Sequence, residues 1–169
     1  MKPRHSRAPG AVALLTVLCA VLAACAPNPA DPSSTRSTMP SESPTKSGTG
    51  ELRHDLEPLV SRIPALSAVE EATWLSGTLG DPGVPGPSLY WIDAVVVLPS
   101  EAADGMRASL DLEPAAQAPD AADGLDGALP EGDLLQGPAL DEAFSAGEWR
   151  TTAYLEAQGN RLVLLVVGE

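Results

Sequence analysis

Ten residues, Leu89–Leu98 (LYWIDAVVVL), constrain this fold more than any other stretch of the chain. The even positions are Tyr90, Ile92, Ala94, Val96 and Leu98; the odd positions are Leu89, Trp91, Asp93, Val95 and Val97. Both sets are mostly apolar and rich in aromatic and β-branched residues, which suit a pleated strand covered on both faces. A strand of this kind belongs in the middle of a sheet. Asp93 is the exception within it. A carboxylate enclosed there must find a partner or change its pKa. Arg150 and Arg161 are the candidate ion-pair partners, and beside Trp91 the same carboxylate is a candidate ligand contact.

The surrounding pattern supplies the rest of one small domain over residues 51–169. Leu52, Leu56, Leu59 and Ile63 recur at helical spacing, and Pro64 stops a helix over Leu52–Arg62. Val69–Leu79 reads as a strand, and GDPGVPGP over Gly80–Pro87 as a turn-rich loop. After Pro99, Ser100 is the expected N-cap of a helix with Glu101 in its first turn and Ala103, Met106 and Leu110 on its buried stripe. Residues 111–138, rich in Ala, Pro, Gly and Asp, read as a long loop. Pro138–Phe144 allows one or two helical turns. Trp149–Glu156 and Arg161–Val167 form a hairpin around Ala157-Gln158-Gly159-Asn160. The order helix, strand, strand, helix, strand, strand predicts an α+β domain: a mostly antiparallel sheet of about four strands, with helices packed on one face.

Few residues in this domain suit catalysis. Its one histidine, His54, lies among Glu51, Arg53, Asp55 and Glu57, the pattern of a solvated face. There is no G-x-S-x-G, no P-loop, no G-x-G-x-x-G and no H-E-x-x-H. Zinc would lack its usual nitrogen and sulfur ligands. Asp120, Asp123, Asp126, Glu131 and Asp133 concentrate five carboxylates in the long loop, a weak calcium candidate whose spacing is not that of an EF-hand. Two acids suffice for glycoside hydrolysis, so a carboxylate-based hydrolase is the remaining enzymatic alternative.

The first 24 residues have a different character. Lys2, Arg4 and Arg7 precede an uncharged 14-residue run, Ala11–Ala24, which ends in small residues. A basic head, a short apolar middle and a small-residue end make a secretory signal peptide. The run is shorter than the roughly 20 residues that a helix needs to cross a bilayer core. Leu22-Ala23-Ala24-Cys25 resembles the lipobox of bacterial lipoproteins, in which a branched apolar residue stands three places before a cysteine, with small residues between. The resemblance covers residues 1–26. It implies a diacylglyceryl thioether on Cys25 and cleavage between Ala24 and Cys25. An ordinary secretory signal with an unmodified Cys25 and an uncleaved membrane helix are the alternatives. Cys19 is the only other cysteine, so the mature chain holds no internal disulfide. Two or three acyl chains, at about 0.8 kcal/mol per buried methylene, give practically permanent attachment.

Residues 26–50 then read as a tether. Fifteen of these 25 are Pro, Ser or Thr and none is aromatic, so the segment buries too little apolar surface to order itself. As a flexible coil it spans roughly 25–30 Å. Within it Ser43-Pro44-Thr45-Lys46 matches S-x-x-K, but in a linker, without a buried helix, the match carries no chemistry. Without residues 1–24 the chain has 7 Lys and Arg against 23 Asp and Glu, a formal charge of −16. Nucleic acid and anionic surfaces repel such a chain. The expected protein is a non-catalytic lipoprotein held on the extracytoplasmic face of the cell membrane by the lipid on Cys25. It needs no further cofactor, and its domain binds an envelope protein. A small-molecule or cation-binding lipoprotein is the alternative.

Overall fold

Antiparallel pairing organises nearly everything in the computed structural model, which describes residues 45–48, 50–80, 83 and 88–169. The expected signal segment, Ala24, Cys25 and most of the expected tether lie outside the described residues. The compact unit to which these residues belong spans Ser41–Glu169.

The sheet has seven strands. They are β1 Lys46–Ser47, β2 Glu71–Leu79, β3 Leu89–Val97, β4 Glu113–Pro114, β5 Leu134–Gln136, β6 Arg150–Glu156 and β7 Arg161–Gly168. Their order across the sheet is β1-β2-β3-β7-β6-β5-β4, and every neighbouring pair is antiparallel. The domain is therefore α+β, but with seven strands rather than four. The three extra strands are two or three residues long, too short to carry a readable alternation. Two of them, β4 and β5, lie in the segment that reads as a loop. The third, β1, lies in the segment that reads as a tether. It is two polar residues held by pairing to Leu79 and Thr78.

β3 sits inside the sheet, as its sequence requires. Ile92, Ala94 and Val96 face a core shared with Ala72 and Trp74 of β2, Leu162, Leu164 and Val166 of β7, and Ala153 and Leu155 of β6. The helices α1 Glu57–Arg62, α2 Ser100–Ser109 and α3 Pro138–Ala143 cover this face with Leu59, Ala103 and Leu140. Phe144, 1% exposed, fills the space beside them. The helix expected over Leu52–Arg62 is confined to its second half. Pro58, at the first turn of α1, marks the true start, because proline lacks the N–H that a first turn leaves unused. Upstream, Gly50 donates to Ser76 and Arg53 exchanges both backbone bonds with Trp74, so residues 50–53 follow the edge of β2. Ser100 is the first residue of α2 rather than its cap. Pro99 takes that place without a side-chain hydrogen bond.

Side chains close the edges that pairing leaves open. β5 pairs with only part of β6. Beyond it, Thr151 N–H donates to Ser145 Oγ and Ala153 N–H to Asp141 Oδ1, at 3.0 and 2.8 Å. An edge satisfied in this way is closed to a further strand. Arg107 of α2 donates to the carbonyls of Glu156 and Gly159 and so fastens the helix to the β6–β7 turn. Among the described residues no helix is long and apolar enough to cross a membrane.

Candidate functional site

The second face of the sheet carries a smaller cluster. Leu75 of β2 and Trp91 of β3 pack with Leu125, which a 3-10 turn at Asp123–Leu125 inserts from the long loop. Asp93 shares this face. It pairs in register with Leu75 on one side and Leu165 on the other. The strand therefore places one carboxylate in an apolar layer, with 1% of its surface exposed.

Its partner is Lys46. The ammonium stands 2.7 Å from Asp93 Oδ2 and also donates to the Asp120 carbonyl at 2.6 Å. Ala122 N–H donates to the same Oδ2 at 2.8 Å. Oδ1 is buried without a hydrogen-bond partner. Burial pushes the Asp93 pKa above its ordinary range; the Lys46 ammonium and the Ala122 amide oppose the shift, and the charge on Asp120 adds to it. Arg150 and Arg161, the partners expected from the sequence, are engaged elsewhere. Arg150 donates to the carbonyls of Gly147 and Trp149, and Arg161 pairs with Glu156 at 3.1 Å.

Trp91 links the carboxylate to the incoming chain. It is fully buried, and its Nε1–H donates to the Ser47 carbonyl at 3.1 Å. The Lys46 ammonium lies 5.7 Å from its ring centroid, within cation–π range. The close approach depends on Gly77, which is opposite Trp91 in register. A Cβ there would collide with the carbonyls of Ser47 and Gly48. The result is a cleft of about 770 Å³ lined by Thr45, Lys46, Leu52, Leu75, Trp91 and the backbone around Ala122.

Trp91 and Asp93 are therefore neighbours on one face, as the sequence suggests. Asp93 is not a free ligand contact, however: one oxygen is occupied and the other is enclosed. Lys46, which does line the cleft, stands in a proline- and serine-rich context that reads as a tether. One signal marks it: it is the only lysine after Lys2. The five loop carboxylates do not converge. Asp120 presents its carbonyl to Lys46, Asp123 opens the 3-10 turn, and among the described residues no three His, Cys, Asp or Glu side chains gather as a metal ion requires. His54 is exposed, with Nδ1 3.1 Å from the Ala72 carbonyl. Its place is the edge of β2 rather than a helix.

No family model matches the chain, and no curated protein or solved structure matches it.

Proposed function

We propose that the chain is a lipid-anchored binding module on the extracytoplasmic face of the cell membrane, without a catalytic role, and that its partner is an envelope protein. One observation carries the binding half of this reading. The segment that leads from Cys25 ends in the sheet, where Lys46 pairs with Asp93 and becomes a wall of the cleft. Anchor and cleft thus share one piece of chain. The ammonium is fixed by a carboxylate and a carbonyl, so it serves as a positioned charge and not as a free amine nucleophile. The anchor half rests on Leu22-Ala23-Ala24-Cys25 and the basic, apolar run before it.

Two measurements on the full chain in a bacterial host test the reading. Mass spectrometry of the N-terminal peptide is expected to find diacylglyceryl on Cys25, and Cys25→Ser is expected to move the protein from the membrane to the aqueous fraction. An unmodified, freely secreted wild type would overturn the anchor. A photo-crosslinker at Leu52, 44% exposed on the cleft wall, is expected to trap one discrete envelope protein, whereas one at exposed Ala108 of α2 traps none. Equal labelling from both positions would remove the cleft as the binding surface. Small-molecule binding is the second reading, favoured by a cleft volume inside the range of about 300–1,000 Å³ typical of ligand sites.

A further inference from the structure

A second cleft, of about 580 Å³, opens on the helix-bearing face of the sheet, at the end where Tyr90 and Gly168 pair. Two arginines line it, each in cation–π range of an indole. Arg53, from the edge of β2, lies with its guanidinium 4.3 Å from the Trp74 ring centroid. Arg62, in the last turn of α1, lies 5.7 Å from the Trp149 ring centroid. Two cations thus meet in one cleft of a strongly acidic protein.

The two arginines are not equally committed. Arg53 is held by Asp55 through two hydrogen bonds, at 3.1 and 2.8 Å. Arg62 donates to the Pro58 carbonyl one turn earlier, at 2.9 Å, and among the described residues it has no carboxylate within ion-pair distance. A guanidinium carries five N–H donors in a planar fork that matches a carboxylate or phosphate. At 5.7 Å from the Trp149 centroid the Arg62 guanidinium is within cation–π range, and its hydrogen bond to Pro58 uses one of its five donors. Glu169 lines the same cleft without an ion pair to either arginine, and its charge disfavours a polyanion there. Tyr90, 44% exposed, offers a flat ring at the mouth.

We propose that this cleft binds a small organic anion with a single carboxylate- or phosphate-type head, held by Arg62, and a flat apolar body laid against Tyr90. Trp91 lines both this cleft and the Lys46 cleft, but Lys46 lines only the latter, and the site does not depend on the anchor. The shape and charge of the pocket define the ligand. The cleft is large enough for one ring and one head, the positive charge is local, and the surrounding surface repels larger anions.

Calorimetric titration of the full chain with phenyl phosphate, phenol and inorganic phosphate tests the proposal. Phenyl phosphate is expected to bind saturably, inorganic phosphate more weakly, and phenol not at all. Arg62→Gln is expected to weaken phenyl phosphate at least tenfold, while Arg150→Gln, outside the cleft, leaves it unchanged. Tyr90→Ala is expected to weaken phenyl phosphate but not inorganic phosphate, which gives a second reading if Arg62→Gln does not fold. No saturable binding of phenyl phosphate, phenol binding as tightly as its phosphate, or undiminished affinity in a folded Arg62→Gln protein would each overturn the proposal.

Discussion

Gly77 stands directly across from Trp91 in the β2–β3 register, and a Cβ placed on it would lie 2.8 Å from the indole nitrogen that donates to Ser47. The missing side chain is what lets Lys46 and Ser47 lie down on the sheet. Gly77→Ala is expected to displace residues 46–48 and cost about 1–3 kcal/mol, the usual range for overpacking a tight site. Urea melts with hydrogen exchange check this: the loss of protection is expected at Lys46–Gly48, with β6 and β7 unchanged.

The Lys46–Asp93 pair is expected to be costly to break and cheap to remove. Lys46→Met leaves an uncompensated carboxylate that is 1% exposed, a change that typically costs about 3–5 kcal/mol at neutral pH. Pairing it with Asp93→Leu removes the orphaned charge, so the double variant is expected to recover most of the loss. A double-mutant cycle from urea melts gives the coupling, and losses that simply add would contradict a direct pair.

The pH dependence has a definite sign. The folded-state pKa of Asp93 is raised above its ordinary 3.8 because burial outweighs its partners. Folding therefore takes up a proton between 3.8 and the raised value. The stability this supplies is fully present below 3.8 and is lost as pH rises through the folded pKa. Glu156 has the opposite sign. The Arg161 guanidinium holds its carboxyl below the ordinary 4.5, so its contribution is lost as pH falls below that value. Glu156 is common to wild type and Asp93→Asn, so its effect cancels in their difference. Thermal melts from pH 7 down to 3.8 are expected to show wild type gaining on Asp93→Asn as pH falls. A constant difference between the two proteins would contradict the assignment.

Leu125 is the apolar side chain that fastens the long loop to the second face. Leu125→Ala is expected to cost about 2–5 kcal/mol, the range for a buried leucine. Hydrogen exchange is expected to rise at Ala122 and Leu125, with the helix-bearing core unaffected. Asp93 would then lose the Ala122 amide that steadies Oδ2.

Long elements were legible and short ones were not. β2, β3, β6 and β7 declare themselves because seven to nine consecutive residues alternate or run apolar, and packing agrees with that pattern. β1, β4 and β5 depend on partners distant in sequence. Glu113-Pro114 looks unlike a strand because proline lacks a donor, yet at the outer edge of a sheet no donor is required. Leu52 keeps helical spacing with Leu56, but the backbone bonds of Gly50 and Arg53 to β2 prevail around it, and only Leu56 joins the helix, as the cap of α1. The candidate site was half visible. An acid inside an apolar strand announces that a partner exists. The identity of that partner is set by the turn of chain before Gly50, which no local pattern encodes.

The brevity of β1 determines how the domain responds to being pulled. Tension applied through the chain that enters at Thr45 meets a two-residue ladder first, together with the Lys46–Asp93 contact and the Trp91–Ser47 hydrogen bond. These yield before β2 is loaded, so stretching the lead-in segment strips one wall from the cleft while the long central strands stay paired.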